Sequence, residues 1–289
     1  MTVLRASLAD RALVSLALMP ACVLVLVAML VPLADMAVIS FRRESFGQIL
    51  SGFTLANYAA LLGGWDSLQL LLQTFAVALV VTVCCVLLGF PLAAAIARSP
   101  VRWRGLLYFV VAAPLLVNTV VRSYGWLLIL GRKGLLNSLL QWAQWTEQPL
   151  ALTGNLVGVV IGGTQVFLPF MVLSLATSLL ALDRRLLESA EILGAGRARA
   201  FFSVILPLAL PGLIAGSVLV FSLMLGAFVT PLILGGTAVK YLSVVVYTDA
   251  LVLFNLPRAT ALSLLLMALV LAVYALQKRI TRRMEAVLA

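Results

Sequence analysis

ESAEILGAGRARAFFSVILP, residues 188–207, is a charged segment in a chain that is otherwise dominated by apolar residues. Long hydrophobic runs lie on both sides of it, so we expect a polar segment tethered between two membrane spans. Such a segment is suited to docking another protein; the alternative is an ordinary loop whose charges only fix the membrane topology. Its charged residues, with those just upstream, are Asp183, Arg184, Arg185, Glu188, Glu191, Arg197 and Arg199.

The composition indicates an integral membrane protein. Of the 289 residues, 64% are hydrophobic and 10% are charged, whereas soluble domains are about 45–50% apolar and about 25% charged. The net charge of +10 comes from basic residues at the ends of apolar runs, which is typical of membrane orientation rather than of nucleic-acid binding. The sequence has no His, and its three Cys lack metal-type spacing, so a metal site or an integral-membrane enzyme has little support.

Six continuous apolar runs are each long enough to cross a hydrocarbon core about 30 Å thick, which takes about 20 helical residues. They cover residues 12–38, 68–97, 105–130, 156–181, 208–234 and 258–277. We therefore predict an all-α integral membrane protein with six transmembrane helices in one domain, residues 1–289. The first run is too long for a signal peptide and is expected to be retained. The loop at 235–257 is expected to lie in the membrane interface or to line a cavity.

The distribution of Lys and Arg predicts the orientation. Six spans place both termini on one side, and the positive-inside rule assigns the side with more Lys and Arg to the cytoplasm. The larger set is Arg5, Arg11, Arg98, Arg102, Arg104, Arg184, Arg185, Arg197, Arg199, Lys278, Arg279, Arg282 and Arg283. The smaller set is Arg42, Arg43, Arg132, Lys133 and Lys240. Both termini and residues 182–207 are therefore predicted to be cytoplasmic.

Within this cytoplasmic segment, the spacing predicts two short helices joined by a turn at Gly194 and Gly196. The first helix has a charged face and an apolar stripe formed by Leu186, Ala190 and Leu193. The second is expected to run through Phe201 to Ile205, with Pro207 and Pro211 marking its junction with the next span.

The order of residue types in this segment resembles the EAA loop of permease subunits of binding-protein-dependent ABC importers. That pattern is Glu-Ala-Ala, three residues, Gly, nine residues, Ile, one residue and Leu-Pro. The matching positions are Glu188, Ser189, Ala190, Gly194, Val204, Leu206 and Pro207, with Ser for Ala and Val for Ile as small departures. Residues 52–62 resemble the outer segment of this permease superfamily, and residues 114–140 and 234–263 are similar to its spermidine/putrescine-type permeases.

The resemblance implies a type I importer permease fold in the bacterial inner membrane, with a coupling helix between helices 4 and 5. The implied partners are a second, similar permease, two cytoplasmic ATPase subunits that dock on residues 182–207, and an extracytoplasmic solute-binding protein. The chain has no GxxxxGK[ST] phosphate loop, so ATP and Mg²⁺ are expected on the ATPase subunits, with no catalytic residue, metal or cofactor on this chain.

The cargo implied by the resemblance is a polyamine such as putrescine or spermidine. Alternatives are opines, phosphonates or another small organic solute in the same importer class, or a secondary transporter that needs no ATPase. The candidates for the solute path are Asn118, Arg122, Tyr124, Trp126, Tyr247 and Asp249. A cation would favour the carboxylate and the aromatic faces, and the companion permease could supply further acids. The alternative for Arg122 is that it snorkels or binds carbonyls of a neighbouring helix.

Overall fold

The computed structural model describes residues 8–45, 47–192, 196–236 and 239–288. Its first half contains α1 (Leu8–Ser40), β1 (Arg43–Ser45), β2 (Gln48–Leu50), α2 (Ala56–Gly63), α3 (Trp65–Arg98), α4 (Val101–Ala112), a 3₁₀ turn (Ala113–Leu116), α5 (Thr119–Leu130) and α6 (Leu135–Trp142). Its second half contains α7 (Leu156–Leu180), α8 (Arg184–Ile192), α9 (Arg197–Ala200), a π turn (Phe201–Ile205), α10 (Leu206–Gly226), α11 (Val229–Leu234), α12 (Leu242–Leu251) and α13 (Leu256–Leu288).

Among the described residues, five helices are long and apolar enough to cross a membrane. They are Met19–Ser40, Trp65–Arg98, Leu156–Leu180, Ala198–Gly226 and Leu256–Arg279. A sixth crossing consists of two pieces, Val101–Leu116 and Thr119–Trp142, which are bent by 94°. The predicted all-α fold with six crossings is confirmed, and the third crossing, expected at 105–130, is a broken span.

The break in the third span has a local cause in the sequence. Pro114 has no N–H to donate, so the chain tightens into the 3₁₀ turn and the helix stops. Asn118 then begins a new helix, because its side-chain oxygen accepts a hydrogen bond from the backbone N–H of Val120 at 2.8 Å.

The core lies where α3, α7 and α10 pack together. Val81, Met171, Leu175 and Met224 are fully buried there. Small residues allow the helices to approach closely, as is common between membrane helices. At Gly216 of α10, an added Cβ would lie 2.9 Å from the Sδ atom of Met171 on α7. Helix α1 lies at the edge of the molecule, where it packs against α13.

The predicted second cytoplasmic helix is not a separate element. Residues Arg197–Gly226 form one continuous helix, in which the π turn Phe201–Ile205 joins α9 to α10. Pro207 cannot donate a backbone hydrogen bond, yet the helix continues through it, and in the π turn before it the N–H of Leu206 donates to the carbonyl of Phe201. The predicted turn at Gly194 lies outside the described residues.

The fifth span ends before its apolar run does. The prediction extended it over 208–234, but α10 ends at Gly226, Ala227 is extended, and α11 starts at Val229. Pro231 explains the break, because it has no N–H for the carbonyl of Ala227 four residues earlier. The segment after α11 returns to the core, where Tyr241 and Leu242 are fully buried. Part of the predicted 235–257 loop is therefore buried beside the core, and neither expectation for this loop is tested by that burial.

Candidate functional site

The EAA-type segment is divided between an exposed helix and a helix that enters the core. At the start of α8, the Asp183 side chain accepts a hydrogen bond from the backbone N–H of Arg185 at 2.9 Å. Glu188, Ser189 and Ala190 lie on α8; the side chain of Glu188 and all of Gly194 lie outside what the structure describes. Helix α8 therefore provides an accessible surface between the fourth and fifth spans.

Two large apolar side chains are exposed on α8. Ile192 is 86% exposed and Leu186 is 48% exposed, on a helix that also carries several charges. Ile192 was not among the predicted residues, although it precedes the predicted glycine turn by two residues.

The second half of the segment is attached to the core. Val204, Leu206 and Pro207 are half-buried, and Ala200 is buried. The ring of Phe201 packs edge-on against Phe90 of α3, with 5.2 Å between ring centroids. The continuous helix Arg197–Gly226 therefore runs from this segment to the break at Ala227.

A second candidate site lies at that break. A cavity of about 270 Å³ opens between the start of α5, the middle of α7, the end of α10 and α11. Its lining residues are Thr119, Val166, Phe167, Leu223, Gly226, Ala227, Phe228, Val229 and Thr230. Discontinuous helices whose backbone borders a cavity are a recurrent way to build solute sites in transporters.

The cavity is apolar with a few polar groups. Thr119 and Thr230 supply hydroxyls, and the hydroxyl oxygens of Thr230 and Ser123 are 3.5 Å apart. The end of α10 contributes backbone carbonyls with the partial negative charge of a helix C-terminus. Phe228 adds an aromatic face and stacks on Tyr247, with 5.5 Å between ring centroids. The first residues of α5 and α11 also line the cavity and bring helix N-termini with partial positive charge, so these groups suit a small polar organic solute of either sign.

Four of the predicted path residues, all from the third span, have separate surroundings. Asn118 caps α5 beside the cavity-lining Thr119. Arg122 donates from Nη1 to the carbonyl of Pro114 at 2.8 Å, which braces the broken span. Trp126 donates from Nε1 to the side-chain oxygen of Gln165 on α7 at 3.2 Å, and Tyr124 is 55% exposed. Gln165 was missed, although a lone amide inside an apolar run was a visible signal.

The predicted acid of the path is already paired. Asp249 at the end of α12 is 2% exposed, and its Oδ2 atom lies 3.4 Å from Nε of Arg258 on α13. Burial raises the pKa of Asp249, and the charge of Arg258 acts in the opposite direction. Asp249 is not among the residues that line the cavity, whereas Tyr247 reaches it through Phe228.

Comparison with known proteins places this geometry in a family. The family described as "Binding-protein-dependent transport system inner membrane component" matches residues 11–286. The chain belongs to this family. It is 34% identical over 254 residues to the spermidine/putrescine transport system permease protein PotB of Haemophilus influenzae, covering 86% of this chain and 88% of that one. It is 35% identical over 237 residues to PotB of Escherichia coli, covering 80% and 85%.

Solved structures share the fold of this permease. A bacterial ABC transporter that imports the acidic polysaccharide alginate gives a TM-score of 0.71 at 16% identity, covering 94% of this chain and 95% of that chain. The MetNI methionine ABC transporter gives a TM-score of 0.57 at 17% identity, covering 76% and 99%. The predicted membership in the ABC importer permeases and the predicted type I fold are confirmed, and the chain is a multi-pass inner-membrane protein.

Proposed function

We propose that this permease forms part of the translocation path of an ATP-driven importer for a polyamine such as putrescine or spermidine. The observation that carries the proposal is the 34–35% identity, over at least 80% of the chain, to permeases named for spermidine and putrescine transport. The fold alone does not distinguish cargoes, because structural neighbours are named for alginate and methionine.

Among the described residues that line the cavity none is acidic or basic, so a bound cation would rely on the carbonyl end of α10 and the Phe228–Tyr247 pair. A second permease of similar fold would complete the path and could add carboxylates. Arg122 and Asp249 would support the structure, because protein groups already engage both.

The coupling proposal concerns residues 182–207. Helix α8 would dock on a cytoplasmic ATPase subunit through its charged face and the exposed Ile192 and Leu186. Closure of the two ATPase subunits would then move the continuous helix Arg197–Gly226 and change access to the cavity at its end. ATP and Mg²⁺ would bind the ATPase subunits, so this chain would hold no cofactor and catalyse no reaction. Both termini would lie in the cytoplasm, and a solute-binding protein would deliver cargo from the other side.

ATP hydrolysis by the reconstituted complex tests the cargo. The complete importer in lipid vesicles should hydrolyse ATP faster when its solute-binding protein is loaded with putrescine or spermidine. Matched samples loaded with an opine or a phosphonate should stay at the basal rate. Stimulation by one of those solutes but by no polyamine would show a different cargo in the same class. Solute uptake without any ATPase subunit would indicate a secondary transporter instead.

A further inference from the structure

The break at the end of α10 is held by two side-chain hydroxyls from the segment after α11. The hydroxyl of Tyr241 donates to the carbonyl of Met224 at 2.6 Å, and that of Ser243 donates to the carbonyl of Ala227 at 2.6 Å. Between them, the backbone N–H of Leu242 donates to Oγ1 of Thr74 on α3 at 3.0 Å. We call Tyr241, Leu242 and Ser243 the hydroxyl clasp. All three residues are buried.

The clasp supplies donors that the broken helix lacks. A helix end leaves carbonyls without N–H partners, and buried carbonyls need a partner. The carbonyl of Ala227 would accept from residue 231 in a continuous helix, but that residue is Pro231. Ser243 provides the missing donor. Met224 receives a short-range bond from the N–H of Ala227 at 3.1 Å and a second bond from Tyr241.

One of the two held carbonyls belongs to a residue of the cavity wall. Ala227 and its neighbour Gly226 line the cavity, whereas Met224 lies one turn earlier in α10 and is not a lining residue. Neither Tyr241 nor Ser243 is itself a lining residue. Because the clasp holds the peptide groups of Met224 and Ala227, it also holds the stretch of α10 backbone that borders the cavity.

We propose that Tyr241 and Ser243 are positioning residues for the solute cavity, acting through the backbone of Met224 and Ala227. This inference rests on the proposed function only in taking the cavity to be the solute site. Without the hydroxyls, the freed carbonyls turn toward other donors, the end of α10 relaxes, and the cavity narrows. The clasp therefore sets solute affinity at the membrane site without touching the solute.

The test uses accessibility of the cavity in the assembled importer, which does not depend on the cargo. Val229→Cys places a thiol in the cavity lining, in a background where the exposed Cys22 and half-buried Cys84 are replaced by Ala. Cys85 is kept because it is fully buried. A small soluble maleimide should label Val229→Cys about fivefold more slowly when Tyr241→Phe or Ser243→Ala is added, the factor expected for one hydrogen bond.

Matched hydroxyl deletions away from the cavity serve as controls. Tyr58→Phe removes a hydroxyl that donates to Ser40 at 2.8 Å, and Ser99→Ala removes one that donates to Ala95 at 2.7 Å. Neither should change labelling. In uptake assays at a fixed concentration of loaded binding protein, the clasp variants should transport solute more slowly than the two control variants.

Each outcome decides the inference. Unchanged labelling in both clasp variants would overturn it, as would equal slowing in the control variants. If Tyr241→Phe does not assemble, Ser243→Ala carries the test, since it removes a single oxygen atom. Slower labelling in a complex that transports no polyamine would uphold the clasp and reject the proposed cargo. Normal polyamine transport with unchanged labelling would reject the clasp and uphold the proposed cargo.

Discussion

Removing the charge of Arg258 tests whether Asp249 supports the structure or binds the cargo. The two charges are 3.4 Å apart, with Asp249 nearly inaccessible and Arg258 47% exposed in its side chain. At an effective dielectric constant of about 20, their attraction is about 5 kcal/mol. Water around the half-exposed guanidinium screens part of that, so we expect Arg258→Gln to lower the free energy of unfolding by about 2–3 kcal/mol.

The double variant separates the two roles. Asp249→Asn alone should cost less, about 1–2 kcal/mol, because the exposed Arg258 can be hydrated when its partner is lost. Asp249→Asn with Arg258→Gln removes both charges, so its cost should fall below the sum of the single costs by about 1–2 kcal/mol. Thermal unfolding of the purified complex in detergent measures the stabilities, and polyamine uptake into vesicles is measured on the same preparations.

Two results would refute this reasoning. Additive losses of stability would show that Asp249 and Arg258 do not interact. A double variant that loses less stability than the sum of the single variants but takes up no polyamine would show that the Asp249 carboxylate serves the cargo directly. A structural pair that joins α12 to α13 should show this non-additive loss of stability together with normal uptake.

The remaining predictions concern three positions, namely Ile192 on α8, Phe201 in the π turn and Gly216 on α10. Ile192→Ser should reduce co-purification of the ATPase, and full retention would place the docking surface elsewhere. Phe201→Leu removes an aromatic contact with Phe90 worth about 1 kcal/mol and should lower the amount of solute imported per ATP hydrolysed. An unchanged ratio would show that coupling does not depend on the contact between Phe201 and Phe90. Gly216→Ala should lower the thermal midpoint, at a cost of about 1–3 kcal/mol, whereas Gly105→Ala, with open space around it, should not.

The sequence predicted the features that depend on composition and residue order. Long aliphatic runs specified the helices, and the order of residues in 188–207 led to the importer family. Both signals are local in the sequence, so they can be read without knowledge of tertiary contacts. Orientation was predicted from Lys and Arg alone and stays a prediction.

The structural features that were not predicted depend on tertiary contacts. Pro231 and Gly226 lie inside an apolar run, and hydropathy alone does not register a break there. Hydroxyls from Tyr241 and Ser243 make that break stable, and no local pattern reveals such partners. Conversely, Pro207 predicted a helix end, but the helix continues from the π turn through Pro207 into α10.

The same limit applies to the candidate path residues. From the sequence alone, Asp249 is a candidate to bind a cation. Only the fold shows that it lies beside Arg258 on the following helix. Arg122 is likewise accounted for by a carbonyl that the broken span exposes beside it. Polar residues within spans therefore identify sites of interest in the sequence, and their partners determine whether they serve structure or transport.

ATP-dependent accumulation of spermidine by vesicles containing the complete importer tests the central claim most directly. We predict accumulation against a gradient only when Mg²⁺ and ATP are supplied on the side of the ATPase subunits. Glu188→Lys reverses a charge on α8 and should abolish both accumulation and ATPase co-purification, whereas Glu147→Lys, in another exposed loop, should leave both intact. Accumulation without ATP, or undiminished accumulation by the Glu188→Lys complex, would contradict the account.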